Sequence, residues 1–246
     1  MPTALALSPH LDDAAFSCGG TLARLARGGA RVVVATLFTA TVPDPTGFAL
    51  ACQLDKGLGP EIDYMALRRA EDLSALAHLG AETRHGPLRE APHRGYGSAP
   101  ELFAAPRPDD PAGAELVPVL AALLAETGPD LLLAPQAIGG HVDHVALVEA
   151  LTRLAPGLPI LWWRDFPYTV RDARPKAPYA ARFDALPALT VPLDAPARVA
   201  RHAACAAYAS QIGFQFGGAD GLAARLAREE AETFAKDGAL PTGLPL

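Results

Sequence analysis

The sequence is poor in cysteine and contains no long apolar run. Its three cysteines, Cys18, Cys52 and Cys205, are widely spaced and form no Cys-x-x-Cys pair. This favours reduced thiols in a cytoplasmic protein, with Cys18 and Cys205 buried on helices. Apolar stretches such as LVPVLAALLA fall short of a bilayer span, and MPTALALSPH lacks the basic segment of a signal peptide. We therefore expect no membrane partner.

The chain also lacks an excess of basic residues. Its formal net charge is −6 at pH 7, which argues against a general nucleic-acid binder, because such proteins need a positive surface. A length of 246 residues, of which 50 % are hydrophobic and 20 % charged, is typical of an ordinary globular protein. We predict a single domain over residues 1–246.

Alternating strand and helix patterns are what the sequence does contain. Short apolar runs predict buried strands at 3–7, 31–38 and 129–136, and a further strand starting in 158–168. Helical spacing predicts helices at 14–27, 61–80, 114–128 and 145–155, and two more within APARVARHAACAAYAS and GLAARLAREEAETFAK. Loops are expected at 40–60 and 84–111. This order predicts an α/β fold with a Rossmann-like, open, mostly parallel sheet and helices on both faces.

Two loops rich in histidine and aspartate follow two of the predicted strands. SPHLDD comes after 3–7, and GGHVDH comes after the strand that ends near 136. In a parallel sheet both loops lie at the carboxyl edge, where α/β folds bind ligands. Imidazole and carboxylate together suit Zn²⁺ and similar divalent cations. Six side chains are therefore candidates for ligands and for hydrolytic chemistry: His10, Asp12, Asp13, His141, Asp143 and His144.

These motifs resemble those of the LmbE-like, or PIG-L, zinc deacetylases. That family includes N-acetylglucosaminyl-phosphatidylinositol de-N-acetylase and the deacetylases of the mycothiol and bacillithiol pathways. Its first motif, approximately His-Pro-Asp-Asp-Glu before a Gly-Gly helix, corresponds to HLDDAAFSCGG, and its second, approximately His-Pro-Asp-His, corresponds to HVDH. The segments LRRAEDLSALAHLG and YASQIGF extend the resemblance. It implies the α/β deacetylase fold and a bound Zn²⁺ or other divalent cation.

The resemblance also implies a role for each motif residue. His10, Asp13 and His144 match the metal ligands. Asp12 matches the general base that takes a proton from water. His141 matches the histidine that stabilises the tetrahedral oxyanion and can protonate the leaving amine.

Two further residues are matched, each with an alternative. Asp143 matches the carboxylate that orients His141, but it could instead cap the helix that follows. Arg68 matches a substrate-contacting arginine, but its spacing from Glu71 and Asp72 equally fits a surface ion pair.

The sequence departs from the family pattern at three positions. Leu11 replaces the usual proline, and Ala14 replaces the usual glutamate. Gly139 stands where some members carry a tyrosine, so a phenol would have to come from elsewhere, and Tyr168 is the candidate.

The expected activity is metal-dependent hydrolysis that removes an N-acetyl group from a small molecule containing N-acetylglucosamine. A bacillithiol-type precursor such as N-acetylglucosaminyl malate is one substrate that family analogy suggests. The expected partner is thus a small N-acetylated glycoside, and the sequence does not decide between a monomer and a homo-oligomer. A metal-dependent phosphoesterase is one rival, distinguished by phosphate release and metal count. A non-catalytic zinc-binding protein is the other, and it would not need Asp12.

Overall fold

The computed structural model describes residues 1–171 and 174–246, without the side chain of residue 171. Its strands are β1 (Thr3–Ser8), β2 (Arg31–Thr36), β3 (Glu82–His85), β4 (Leu131–Pro135), β5 (Ile160–Trp163), β6 (Ala188–Pro192) and β7 (Ala231–Asp237). Its helices are α1 (Asp13–Arg27), α2 (Gly47–Leu54), α3 (Tyr64–Leu79), α4 (Ala99–Leu102), α5 (Ala112–Thr127), α6 (Val142–Leu154), α7 (Tyr168–Arg171), α8 (Ala180–Asp184), α9 (Ala195–Ala206), α10 (Ala209–Phe216) and α11 (Ala219–Leu226), with a 3₁₀ turn at Ala91–Arg94. None of the helices in these described segments has the length and apolar character needed to cross a bilayer.

The sheet is open and mostly parallel, as predicted. Its strand order is β3-β2-β1-β4-β5-β7-β6. The first five strands in that order run parallel, and β7 is antiparallel to both β5 and β6. The chain leaves β1 towards β2 on one side, and β4 returns to pair with β1 on the other. The gap between the loops after β1 and β4 is therefore the topological switch point of the sheet, where such folds bind ligands.

Helices cover both faces of the sheet because successive strand residues point to opposite sides. Ala4 and Ala6 of β1 pack in the same apolar cluster as Leu22 and Leu25 of α1. The intervening Leu5 and Leu7 belong to the opposite cluster, built largely from α5 and α6. All six residues of β1 are buried, as expected for a central parallel strand.

Helix α1 is interrupted near its middle. Cys18 has a non-helical backbone, with φ −141° and ψ 19°. The N–H groups of Gly20 and Thr21 instead donate to the buried carboxylate of Glu232, at 2.9 and 2.7 Å. A Cβ on Gly20 would lie 2.6 Å from Leu193, so glycine at this position allows the close packing of α1 against the neighbouring segment.

Three sequence expectations about secondary structure are wrong. The segment 231–236 is not helical but forms most of β7, where Glu232 and Phe234 face the core. Its high content of helix-forming residues is overridden by pairing with β5 and β6. The expected loop 40–60 contains α2, and the expected loop 84–111 contains the 3₁₀ turn and α4.

Candidate active site

The two motif loops converge at the carboxyl ends of β1 and β4. The imidazole centroid of His10 lies 4.8 Å from that of His141 and 5.2 Å from that of His144. Ligand atoms of these three histidines all lie within 4.8 Å of one another, so the group could hold a metal ion. The convergence predicted from the positions of the two motifs is thus confirmed.

Two of the imidazoles are each held by a carboxylate on one side and meet Asp13 on the other. His10 Nε2 donates to Asp143 Oδ2 at 2.9 Å, and His144 Nδ1 donates to Asp165 Oδ1 at 2.8 Å. Asp13 Oδ2 lies 3.3 Å from His10 Nδ1 and 3.2 Å from His144 Nε2. Histidines that bind metal ions usually donate their second N–H to a carboxylate in this way.

The chemistry of these groups fits a divalent cation. His144 Nε2 is buried and faces Asp13 Oδ2 at 3.2 Å, so a nitrogen and an oxygen that can both bind a cation meet at the centre of the group. Burial lowers the pKa of His10, but hydrogen bonds to Asp13 and Asp143 more than offset this and hold the pKa well above its usual value. Burial opposes protonation of His144 as well, but the charge of Asp13 and hydrogen bonds to Asp13 and Asp165 raise its pKa to about 9. The carboxylates that favour the protonated histidines would equally stabilise a divalent cation in place of those protons.

Asp12 is held in an unusual backbone conformation beside this group. Its φ of 150° and ψ of −32° lie in a region that side-chain-bearing residues rarely adopt, and such strain is concentrated at functional sites. The residue is 5 % exposed. Burial, and then the charge of Asp13, raise the pKa of the Asp12 carboxyl to about 7. Arg68 Nη2, 3.9 Å from Asp12 Oδ1, acts in the opposite direction.

His141 differs from the other two histidines in what its ring contacts. It is the N-cap of α6, and its Nδ1 accepts a hydrogen bond from the backbone N–H of Asp143 at 3.2 Å. Burial and the neighbouring charge of His10 lower the pKa of His141 to about 3. The ring is therefore neutral, with its proton on Nε2, and Nε2 can donate a hydrogen bond.

Neither role considered for Asp143 from the sequence matches its contacts. The capping side chain of α6 is His141, and the Asp143 carboxylate is 4.0 Å from His141 Nδ1, too far for the expected hydrogen bond. Its oxygens are already engaged, because Oδ2 accepts from His10 and from Ala91 N, and Oδ1 accepts from Arg94 Nη2 at 2.6 Å. Asp143 thus holds His10 and not His141.

The segment 84–111 is anchored to the site by Arg94, a residue to which no sequence motif points. The Arg94 guanidinium is almost fully buried and also donates to both carboxylate oxygens of Asp110, at 2.8 and 2.9 Å. A chain of contacts therefore runs from Asp110 through Arg94 and Asp143 to His10. No local sequence pattern marks Arg94, since Asp143, its partner at the site, is 49 positions away.

Asp165 and Tyr168 extend the site from the end of β5. Asp165 is 1 % exposed and accepts from His144 and from Ile138 N. It follows a strand at the same sheet edge as the two motifs, so the positional rule that found them could have included it. The Tyr168 ring lies 6.1 Å from that of His144, and a Cβ on Gly139 would lie 2.7 Å from the Tyr168 ring. Tyr168 thus occupies the space that a side chain at 139 would need.

Arg68 is buried in the site and is not part of a surface ion pair. It is 5 % exposed, and its Nη1 donates to Glu90 Oε1 at 2.5 Å. The acidic residues that could have paired with it point elsewhere. Glu71 accepts from Ser210, and Asp72 accepts from Tyr208. The YASQIGF segment is therefore tied to α3, which places Arg68 next to Asp12.

A cavity of about 270 Å³ opens onto these groups. His10, Asp12, Asp13 and His141 line its inner end, together with Arg68 and Glu90. The remaining wall comes mainly from α2, α3, α4, α7 and α10. It contains the aromatic or apolar residues Phe48, Tyr64, Leu102, Phe103, Tyr168 and Phe214 and the polar residues Asp55, Lys56, Gln211 and Gln215.

Three known deacetylases are similar to this chain. It is 34 % identical to 2′-N-acetylparomamine deacetylase of Streptomyces fradiae over 72 % of this chain and 65 % of that protein's length. It is 29 % identical to 1D-myo-inositol 2-acetamido-2-deoxy-alpha-D-glucopyranoside deacetylase of Nakamurella multipartita, over 91 % of this chain and 84 % of that one. The crystal structure of the zinc-inhibited form of teicoplanin deacetylase superposes with a TM-score of 0.81 and 28 % identity, covering 95 % of this chain and 97 % of that chain.

The family comparison agrees with the motifs and the fold. The profile of the PIG-L family, described as GlcNAc-PI de-N-acetylase, matches residues 5–155, which include both histidine- and aspartate-bearing loops. The chain therefore belongs to the PIG-L family.

Proposed function

We propose that the protein is a Zn²⁺-dependent amidohydrolase that removes the acetyl group from a small molecule containing N-acetylglucosamine. The observation that carries this proposal is the placement of Asp12, a buried and strained carboxylate, beside three converging imidazoles. Metal binding alone would not need that carboxylate. The deacetylase names of the relatives support the reaction type.

The ligand set that the contacts favour is His10, Asp13 and His144. The two histidines turn their free nitrogens towards Asp13 Oδ2, and the carboxylates of Asp143 and Asp165 fix both rings from behind. The donors are nitrogen and oxygen atoms, which suit Zn²⁺ in a catalytic site with three protein ligands.

A bound Zn²⁺ would supply Lewis acidity, lowering the pKa of a water molecule and polarising the amide carbonyl. Asp12 accepts a proton from the attacking water molecule as the water oxygen forms a bond to the acetyl carbon. His141 donates from Nε2 to the amide oxygen as it gains negative charge, and it can do so because its ring is neutral.

The reaction is completed when the bond between the acetyl carbon and the amide nitrogen breaks. Asp12, now protonated, gives its proton to the departing nitrogen, so the products are the free amine and acetic acid, which loses its proton to the solvent to give acetate. Because burial and the charge of His10 lower the pKa of His141 to about 3, almost none of the ring is protonated at neutral pH, so we assign His141 to the oxyanion and not to protonation of the amine. Arg68, held by Glu90, stabilises the ionised form of Asp12. Its positive charge therefore lowers the pKa of Asp12 and partly offsets the effect of burial.

Amine release from a panel of N-acetylglucosaminides tests the proposal. The panel includes N-acetylglucosaminyl malate, the bacillithiol-type compound, and each member is assayed with zinc-loaded and with chelated protein. A phosphate monoester serves as the control substrate. We expect amine release that needs the metal and no phosphate release. Phosphate release without amine release would show a phosphoesterase, and inactivity on the whole panel would contradict the proposed function.

A further inference from the structure

Helix α1 is broken behind the candidate metal site, and two distant side chains fill the break. In a continuous helix the backbone N–H of Gly20 would donate to the carbonyl oxygen of Phe16. Cys18 lies between them with non-helical backbone angles. The N–H groups of Gly20 and of the residue after it donate to the two carboxylate oxygens of Glu232, at 2.9 and 2.7 Å. On the other side of the break, the carbonyl oxygen of Phe16 accepts from Arg201 Nη2.

Arg201 of α9 and Glu232 of β7 also contact each other. Arg201 Nε lies 3.2 Å from Glu232 Oε1, and the two side chains are only 3 % and 2 % exposed. A buried ion pair adds little to stability, because the loss of hydration of both charges opposes their attraction, and apolar side chains of similar size often serve as well. Apolar side chains would, however, leave the backbone groups at the break without partners. The pair is therefore suited to fix the direction of the two parts of α1.

The part of α1 before the break carries a candidate metal ligand. Asp13 is its first residue, and Asp13 Oδ2 lies 3.3 Å from His10 Nδ1 and 3.2 Å from His144 Nε2. Phe16, whose carbonyl oxygen Arg201 binds, lies one helical turn beyond Asp13. A rotation of this single turn about the break would move the Asp13 carboxylate relative to both imidazoles.

Arg201 also contacts the support of a second candidate ligand. Its guanidinium carbon lies 5.3 Å from the ring centre of Phe166, and Phe166 N donates to Ser17 Oγ at 3.1 Å. Phe166 directly follows Asp165, whose carboxylate accepts from His144. Arg201 therefore touches the segments that hold two of the three candidate ligands.

We propose that Arg201 and Glu232 are positioning residues for the metal site, which fix the break in α1 and thereby set where the Asp13 carboxylate meets the two imidazoles. This inference rests on the proposed metal-dependent function. Among the residues that the structure describes, those that line the active-site cavity do not include Arg201 or Glu232. Any effect of the pair on the metal is therefore transmitted through α1 and Phe166, and not by contact with substrate.

The test compares the wild type with Glu232→Gln and with the double variant Arg201→Met/Glu232→Gln. Glutamine keeps one oxygen for the backbone N–H groups and loses the other, so the break is held less firmly. The double variant leaves neither charge buried without its partner and is expected to fold. Both variants should bind zinc about tenfold more weakly in competition with a chelator, the lower end of the range for groups that orient metal ligands.

Substitution of Co²⁺ for zinc separates positioning from stability, because the visible absorption of bound Co²⁺ depends on the arrangement of its ligands. We expect the spectra of both cobalt-loaded variants to differ from the wild-type spectrum. The control is Arg27→Met, which removes an exposed ion pair with Asp194 in the last turn of α1. It should change neither the zinc affinity nor the cobalt spectrum.

An unchanged cobalt spectrum in a folded variant would overturn the proposal, even if the metal-free variant melts at a lower temperature, because the pair would then only stabilise the fold. Unchanged zinc affinity would overturn it as well, and both results leave the deacetylase function standing. If the double variant does not fold, Arg201→Lys takes its place, since lysine keeps the charge but cannot bind Phe16 and Glu232 with one planar fork. Wild-type protein that binds neither zinc nor cobalt would contradict the underlying metal-dependent function.

Discussion

The Asp143 carboxylate hydrogen-bonds to His10, at 2.9 Å from Nε2, and not to His141 two positions before it in the sequence. Arg94 holds the same carboxylate from the opposite side, at 2.6 Å. Since Arg94 also binds Asp110, the ring of His10 is fixed by groups from the segment 84–111. The candidate metal site therefore depends on residues well outside the two motifs.

Replacing Arg94 should weaken metal binding without any change in a candidate ligand. We expect Arg94→Met to lower zinc affinity by about 10- to 100-fold, the range for groups that orient metal ligands. Competition with a chromogenic chelator measures this directly. The control is Arg84→Met, which removes exposed ion pairs with Glu82 and Glu126.

Loss of Arg94 leaves two buried carboxylates without their partner, so the variant could also unfold. Arg94→Lys keeps the charge and is expected to fold, with a smaller loss of affinity because lysine cannot bridge Asp110 and Asp143 with a planar fork. Unchanged zinc affinity in folded Arg94→Lys and Arg94→Met would show that His10 needs no such support.

His144 and Asp165 should differ in how strongly they affect the metal. His144→Ala removes a candidate ligand, and purified protein should lose most of its one divalent ion per chain. Asp165→Asn retains the ligand but accepts less strongly from His144 Nδ1, so affinity should fall by roughly 10- to 100-fold. Elemental analysis of the metal content checks both variants. Full occupancy of His144→Ala would remove this residue from the ligand set.

His141 should prove dispensable for the metal and important for turnover. We expect His141→Ala to keep its zinc and to lose about 10²- to 10³-fold in kcat, the cost of removing one donor to an oxyanion. Because the His141 ligand atoms lie close to those of His10 and His144, coordination is the competing possibility. A metal-free His141→Ala protein would establish that role instead.

Zinc binding should become weaker as the pH falls. The pKa of His144 is raised to about 9, so the free protein carries a proton there at neutral pH, and a cation must displace it. Affinity should therefore fall about tenfold for each pH unit per proton displaced. Titration with zinc in weak buffer at pH 7 should release protons. Binding that is independent of pH between 6 and 8 would contradict the proposed coordination by His144.

The sequence was sufficient for four adjacent strands of the sheet, β2, β1, β4 and β5, and for the meeting of the two motifs, because buried strands and the residues just after them obey simple positional rules. The sequence did not predict the contacts of Arg94 or the residues that line the cavity, because both bring together segments far apart in the chain. Strand β7 was mistaken for a helix because the role of Glu232 depends on the interruption of α1, more than 200 positions earlier. The contacts of Asp143 differ from the role that the family resemblance implied, because the sequence does not show that its carboxylate oxygens are occupied by His10, Ala91 and Arg94.

The most direct test of the central claim, that Asp12 is the base of a metal-dependent deacetylase, is the pH profile of Asp12→Asn beside the wild type. Asparagine keeps the size and hydrogen bonding of the side chain but cannot accept the proton. Asp12 must be ionised to act, so the wild-type rate should fall as the pH drops through its pKa. That pKa is about 7 in the metal-free protein and is expected to be lower with a cation bound nearby. The variant should retain its metal, lose about 10²- to 10⁴-fold in turnover and lack this acidic limb. A metal-loaded Asp12→Asn protein that deacetylates at nearly the wild-type rate across this pH range would contradict the account.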